Sequence, residues 1–460
     1  MKLIAVVGTL TLLFCSMVAS SNAAVTGEIR DPEVLATVDG KAIPTASVDL
    51  LLKVLSRDNQ DLDRSTLVNG IIENRLFARE AQRQMSDDEI WQHSRVGYPP
   101  RVTLEKQLVG LLHAAFKPQL EQTVQAMGGN LFSLYEQKPH IDADRFKALS
   151  TLSNQVAYQL SPEQIELARK TVVATYKLPS GKRGSFSYWD LYHRENVQGR
   201  AQLHQGNRDL LTQLAHTRLQ QLFIQDWARH QSGLSKTEYQ AISDFVTHKF
   251  VKLRYLQHMG LWADIHDENQ ALQAETKKVT QAEIRDYYET HKDEFRQTTS
   301  VTAYHITTAS EVQAQKALEA LKAGMADQAA IKRFSTADDR KAQNPGRIGP
   351  IARREGVDNW LNSIALMMPP GHWSRPLRSP GSGDVEPVWE IVKVVDRQEG
   401  YEPADSETVR YLASKKIAMD RIQARFKATK RKLFEDAAIK LNQTLLARPS
   451  QTAAASTGGQ

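Results

Sequence analysis

One cysteine in 460 residues, Cys15, is the first constraint. It lies inside an apolar N-terminal leader, so the chain beyond that leader can form no disulfide and no thiolate metal site. Long apolar runs are equally scarce. Past the leader, no stretch approaches the ~18–20 consecutive apolar residues that cross a bilayer as a helix. One-sided charge is missing too. Lys and Arg number 59 against 53 Asp and Glu, and the resulting +6 is spread along the chain. That is no electrostatic footprint for nucleic acid. The thirteen histidines contain no His-Glu-x-x-His or other ligand spacing, so no metal is expected.

What remains is ordinary globular material: 41% hydrophobic, 24% charged, and long enough for two or three domains. Residues 1–23 read as a secretory signal peptide. Lys2 is the positive end, Leu3 to Val18 the apolar core, and Ser21-Asn22-Ala23 a small-x-small cleavage site. If left uncleaved, the segment would serve as an anchor, and only then would the chain contact a membrane.

Leu35 to Ile43 reads as two short strands around Asp39-Gly40. Helices are expected from Thr45 to Leu55 and from Asp63 to Met85, and Ser86 with Glu89 is a capping box opening the next. The arrangement recurs. Phe186 to Leu191 starts a second copy. Leu214, Leu222, Phe223 and Trp227 repeat the spacing of Val68, Leu76, Phe77 and Ala81, and Ser235 with Glu238 repeats the capping box. A third box, Thr280 with Glu283, precedes Ile284, Tyr287 and Tyr288. Between the copies, Arg101 to Tyr176 is helical in pattern. Near the other end, Gly400 to Ser406 reads as a linker. Glu407 to Phe434 reads as one helix with the stripe Val409, Leu412, Met419, Ile422, Phe426 and Leu433. A single narrow stripe must dock on something. The run Ile439-Lys440-Leu441 is a candidate partner for the strands at 35–43, and 449–460 is a low-complexity tail.

The region from Thr298 to Asp396 is different in kind. A β-run, Val301 to Ile306, leads to a helix capped by Ser310 and carrying Val312, Ala314, Ala317, Leu318 and Leu321. A second helix spans Ala326 to Phe334. Then come a polar loop with Asp338 and Asp339, the glycines of Gly346-Arg347-Ile348-Gly349, a Pro370-Gly371 turn, and a closing strand from Val388 to Asp396. This is a small α+β domain.

Its order of elements, the His305-Ile306 opening, the Phe334-Ser335 pair, the Gly-x-x-Gly and the Ile391-Val392-Lys393-Val394 ending resemble a parvulin domain. The repeated helical segments resemble the arm of the SurA, PpiD and PrsA class of secreted foldases. The resemblance implies a multidomain, mainly α chain. A helical chaperone arm, built from N- and C-terminal segments, would carry one parvulin-like β-α-α-β domain. The expected divisions are 24–185 and 186–297 for the arm, 298–398 for the parvulin-like domain and 399–448 for a C-terminal helix docking on the arm.

Parvulins are peptidyl-prolyl isomerases. Turning an X–Pro amide meets a barrier of roughly 18–20 kcal/mol from lost resonance. Lowering it needs an apolar grip and a few polar groups, and no cofactor. Carried over by position, the resemblance implies His305, Asp338 and Glu390 as catalytic residues and Ile348, Val357 and Leu361 as the apolar pocket. Glu390 stands where the family has a second histidine, and Arg347 where it has an acidic residue. Plainer roles stay open: His305 as a buried strand histidine, Glu390 as a partly exposed strand residue, Asp338 and Asp339 as turn formers, and Trp189, Trp227 and Trp262 as core. Two function classes follow. One is a foldase that isomerises prolyl bonds in exported, unfolded polypeptides. The other is a holdase or dedicated export partner with an inactive domain. The leader generates the first prediction: N-terminal sequencing of the exported protein should begin at Ala24, and retention of residues 1–23 would make the segment an anchor.

Overall fold

The computed structural model describes residues 25–92, 96–151, 158–262, 269–353, 359–381 and 386–447. The expected leader, the expected tail and Val357 lie outside these residues. In chain order the strands are β1 (Val25–Glu28), β2 (Val34–Val38), β3 (Lys41–Pro44), β4 (Tyr135–Gln137), β5 (Val172–Lys177), β6 (Arg183–Ser187), β7 (Arg296–Thr308), β8 (Arg347–Ala352), β9 (Leu377–Arg378), β10 (Trp389–Tyr401) and β11 (Ile439–Leu441). The chain divides into a first unit, 1–271 with 422–460, and a second, 272–421. It is mainly helical, with small sheets and one α+β region.

In the first unit, Asp39 and Gly40 both take positive φ, 50° and 77°, and close the β2–β3 hairpin. Thr45–Leu55 and Arg64–Gln84 follow as helices, the latter started by the Asp63 side chain accepting from the Thr66 amide at 2.6 Å. The second copy follows the same order with one helix added: the β5–β6 hairpin, a short helix capped by Ser187 and Asp190, the additional helix Val197–His204, then Arg208–His230 and Lys236–Met259. Phe77 and Phe223 are both buried.

The helical expectation for 101–176 needs correction. Pro100–Ala126 is a helix, with non-helical backbone at Phe116, two residues before Pro118. Proline withholds an amide and crowds the preceding turn. After it the chain makes β4, two short helices (Ala143–Ser150 and Pro162–Lys170) and β5. Val172, Val173, Thr175 and Tyr176 are strand formers, and pairing with β6 and β4 decides their state. The Ser86 capping box opens only one turn, Asp87–Ile90, and Pro100 starts the next helix.

The chain's two ends share one sheet, in the order β1-β11-β2-β3. β11 runs parallel to β1 and antiparallel to β2. Buried Asn442 locks this in place, donating from Nδ2 to the Asp31 carbonyl at 2.9 Å. Upstream, Phe426 stacks on Phe77 with ring centroids 5.3 Å apart. Lys430 and Lys252 pair with Glu73 at 2.7 and 2.6 Å. Burial pushes the Glu73 carboxyl up, but the two ammonium groups overcome it and hold the carboxyl below its ordinary range.

The second unit centres on the sheet β8-β7-β10-β9. Both long strands exceed the expected runs, and the expected linker at 400–406 begins inside β10. The helices Glu311–Lys322 and Asp327–Phe334 pack on Ile306 and Ile391. Val312, expected on the apolar stripe, is 64% exposed, because Ala314, Ala317 and Leu318 make the contact. The helix Trp360–Met367 covers the opposite face, over Val301, Ala303, Val392 and Val394. A separate cluster joins Ile284, Tyr287, Tyr288 and Phe295 to Val409 and Ala413 at the start of the helix Glu407–Glu435. Leu412 on that helix is exposed, and Ala413 and Ala418 are buried instead.

Ile439 is fully buried on β11, the strand between β1 and β2. Ile439→Ala should lower the stability of the first unit by about 2–5 kcal/mol, read by denaturant titration of the full chain. A loss below about 1 kcal/mol would mean that this strand contributes little to the core.

Candidate functional site

Strand alternation places the site. β7 and β10 pair with His305 opposite Val392 and Thr307 opposite Glu390. Residues two apart share a face. Val301, Ala303, His305 and Thr307 therefore lie with Glu390, Val392 and Val394. This is the face covered by the 360–367 helix, and its apolar residues give way at one end to three polar ones.

The glycines of the Gly-x-x-Gly fix the approach of β8 to this strand. Gly346 has φ +62°, and a Cβ there would stand 2.5 Å from the His305 carbonyl oxygen. Its own carbonyl accepts the His305 amide at 2.8 Å. Gly349 has φ +99°, with a Cβ position 2.5 Å from the Val301 carbonyl. Both positions need glycine for the same two reasons, backbone sign and close approach.

His305 Nδ1 lies 3.0 Å from Glu390 Oε2, and Nε2 lies 2.7 Å from Asp339 Oδ2. An ionised carboxylate only accepts, so the arrangement favours the imidazolium, whose two N–H groups match the two facing carboxylates. The His305, Glu390 and Asp339 side chains are 8%, 6% and 35% exposed. Burial alone would depress the imidazole pKa. The hydrogen bonds and charges of Glu390 and then Asp339 outweigh it and raise the pKa above the ordinary value. The second oxygen of each carboxylate has a different fate. Glu390 Oε1 accepts from Thr307 Oγ1 at 2.6 Å. Asp339 Oδ1 is buried with no hydrogen-bond partner among the described residues.

Asp339 is delivered by the 335–341 loop. Buried Ser335 accepts from the Thr307 amide at 3.3 Å, Thr336 donates from its amide to the Thr307 carbonyl at 2.8 Å, and Arg340 donates back to the Ser335 carbonyl at 2.8 Å. The next four residues, Asp338–Lys341, form a 3-10 turn. That turn aims Asp339 at the histidine, and no bond joins Asp338 to His305. Sequence position alone pointed to Asp338; the shift by one residue comes from the turn. Glu390, expected as a partly exposed strand residue, is buried, with His305 and Thr307 against its carboxylate. Ile348 and Leu361 both pack on the cluster of Val301, Ala303 and Val394, so the structure brings two of the three expected pocket residues to the face of His305. Met368 and Ile364 join them. The 360–367 helix that carries Leu361 and Ile364 was not foreseen, although its Asn359 cap accepting from the Leu361 amide was a readable signal. Of the three tryptophans, Trp227 is buried, Trp189 is half-buried and Trp262 is 39% exposed.

Residues 279–411 match the family model of the PPIC-type PPIase domain. The second unit carries a parvulin-type domain. The parvulin-type match spans the whole β7–β10 sheet and the three side chains around His305. Among curated proteins, none matches the chain. Solved structures similar to it include a peptidylprolyl isomerase (PrsA) of Bacillus anthracis at 20% identity and TM-score 0.20, covering 40% of this chain and 77% of that one. A foldase protein (PrsA) of Lactococcus lactis has 12% identity and TM-score 0.21 over 90% and 96%. A SurA-like chaperone structure from Campylobacter jejuni has 11% identity and TM-score 0.24 over 89% and 98%. The parvulin assignment rests on the 279–411 match and not on these superpositions.

The raised histidine pKa carries a sign for stability. A proton bound more tightly in the folded state stabilises it, fully below the unfolded value of about 6.5, and the gain is lost as pH rises through the folded value. The margin by which the thermal stability of the full chain exceeds that of His305→Gln should therefore be largest below about pH 6.5 and shrink as pH rises above it. A margin that is constant or grows with pH would contradict the imidazolium.

Proposed function

We propose that the chain is an extracytoplasmic folding factor whose parvulin-type domain isomerises X–Pro bonds in exported, unfolded polypeptides. The carrying observation is the pairing, on one sheet face, of an apolar floor with a buried charged group. Ile348, Leu361, Ile364 and Met368 are suited to hold a proline ring. The Glu390–His305–Asp339 row, with one net negative charge, is suited to polarise the adjoining amide as its resonance is lost. The reaction makes and breaks no covalent bond, so a histidine whose two nitrogens are both engaged is no obstacle. It acts as a fixed charge and not as a base. The leader at 1–23 supports the location, and the repeated helical segments support clients that are unfolded chains.

A second reading has an observation of its own. His305 and Glu390 form a buried ion pair where the resemblance implies two histidines, and such a pair serves equally as an internal strut. On that reading the protein is a holdase or a dedicated export partner, and the domain is a binding surface.

One experiment separates them: prolyl isomerisation of a short Xaa-Pro peptide and of a proline-limited refolding protein, beside aggregation of an unfolded client. Turnover should fall at least about tenfold, about 1.4 kcal/mol of barrier, in both His305→Gln and Leu361→Ala, with circular dichroism unchanged. No turnover above the spontaneous rate in the wild type, with aggregation still suppressed, selects the holdase.

A further inference from the structure

We propose that Thr307 is the positioning residue of this site: its hydroxyl fixes the Glu390 carboxylate and its backbone fixes the loop that presents Asp339, so one residue sets both anions against His305. The proposal rests on the function just proposed for that site and adds a residue to it.

The hydroxyl has one proton to give. It lies 2.6 Å from Glu390 Oε1 and 3.3 Å from His305 Nδ1. The nearer contact is to a charged acceptor, and Nδ1 already donates to Glu390 Oε2, so the proton goes to Oε1. Glu390 then has one donor on each oxygen, at a position where 5% of the residue is exposed. A buried carboxylate with both oxygens engaged cannot rotate without breaking a bond. Its orientation in turn fixes which face of the imidazole ring Nδ1 presents, and hence the direction of Nε2.

The backbone of the same residue acts on the other anion. The Thr307 amide donates to Ser335 Oγ at 3.3 Å, and its carbonyl accepts from the amide and hydroxyl of Thr336 at 2.8 and 3.1 Å. These bonds anchor the start of the loop whose next turn carries Asp339. Strand geometry makes this possible. Thr307 lies two residues beyond His305 on the same face and opposite Glu390, so its side chain meets the site while its backbone edge is free for the loop. Among the described residues, the charged groups acting on the imidazole are Glu390 from β10 and Asp339 from the loop. The 311–322 and 327–334 helices pack on the other face of the sheet. Just before β8, Gly346 contributes a backbone carbonyl, bonded to the His305 amide.

The test is the titration of the His305 ring by nitrogen-15 NMR in the histidine-labelled full chain, assigned by the signal lost in His305→Gln. In Thr307→Val, Oε1 loses its donor, the Glu390 carboxylate is free to turn away from Nδ1, and the imidazole loses the partner that holds its proton. The apparent midpoint should fall by about one pH unit, a tenfold change in proton affinity. Turnover should drop with KM nearly unchanged, and Thr307→Ser should restore both. An unchanged midpoint in Thr307→Val, even with a lowered melting temperature, would make the residue merely structural and overturn the proposal. Should Thr307→Val not fold, Thr307→Ala against Thr307→Ser reads the same difference. If the wild type shows no turnover, the isomerase reading fails, and the titration still decides the role of Thr307.

Discussion

The antiparallel pairing of β7 with β10, thirteen residues on each side, is the constraint on which the second unit depends. From Trp389 to Val394, opposite Thr308 to Ala303, the register is regular and each side chain is assigned to one face or the other by parity. Ile306 and Ile391 go to the helices that follow β7. Ala303, Val392 and Val394 go to the 360–367 helix. His305, Thr307 and Glu390 inherit the second face and continue it past the apolar floor. A slip of one residue would bury the histidine under the wrong helices and turn isoleucines onto the site. Gly346, just before β8, and Gly349 within it hold the chain close to β7 at the outer edge, since neither backbone would fit with a side chain attached.

Within this frame the site balances charges. A buried glutamate alone would be expensive, and a buried imidazolium alone would lose its proton. Together, with a half-exposed aspartate closing the row, each makes the other tolerable. The replacement of a histidine by Glu390, implied by the parvulin resemblance, thus changes the nature of its neighbour. His305 has a carboxylate on each ring nitrogen, and the two contacts fix its orientation.

Much of this was legible in the sequence, and the rest was hidden for identifiable reasons. Capping residues at Ser86, Ser235, Thr280 and Ser310 announced helix starts because the signal is local, a side chain and an amide three residues apart. The Asp39-Gly40 hairpin was readable on the same grounds. β5 was misread because its state is decided by partners on β4 and β6, and six residues carry too little pattern to announce them. β8 was invisible, since Arg347 to Ala352 has two prolines or glycines in six positions. At the site, His305 and Glu390 stand out by their places in the parvulin-like order of elements. Asp339 displaced Asp338 because a tight turn rotates successive side chains by amounts that spacing does not reveal. Thr307 gave no signal at all: a threonine in a strand is unremarkable until the residue across from it is known to be a glutamate.

The sheet that joins β11 to β1 and β2 has a consequence for the order of events during synthesis. Ile439 to Leu441 complete a structure begun by Val25 to Val38, some four hundred residues earlier. The first unit therefore cannot close until Leu441 has emerged, whereas residues 272–421 have their own strands and cores available before that point. The inserted unit can finish while the surrounding one still waits for its last strand, with β2 exposing an unpaired edge in the interval. A protein proposed to shelter incomplete chains thus passes through an incomplete stage of its own, ended by three residues near its C-terminus.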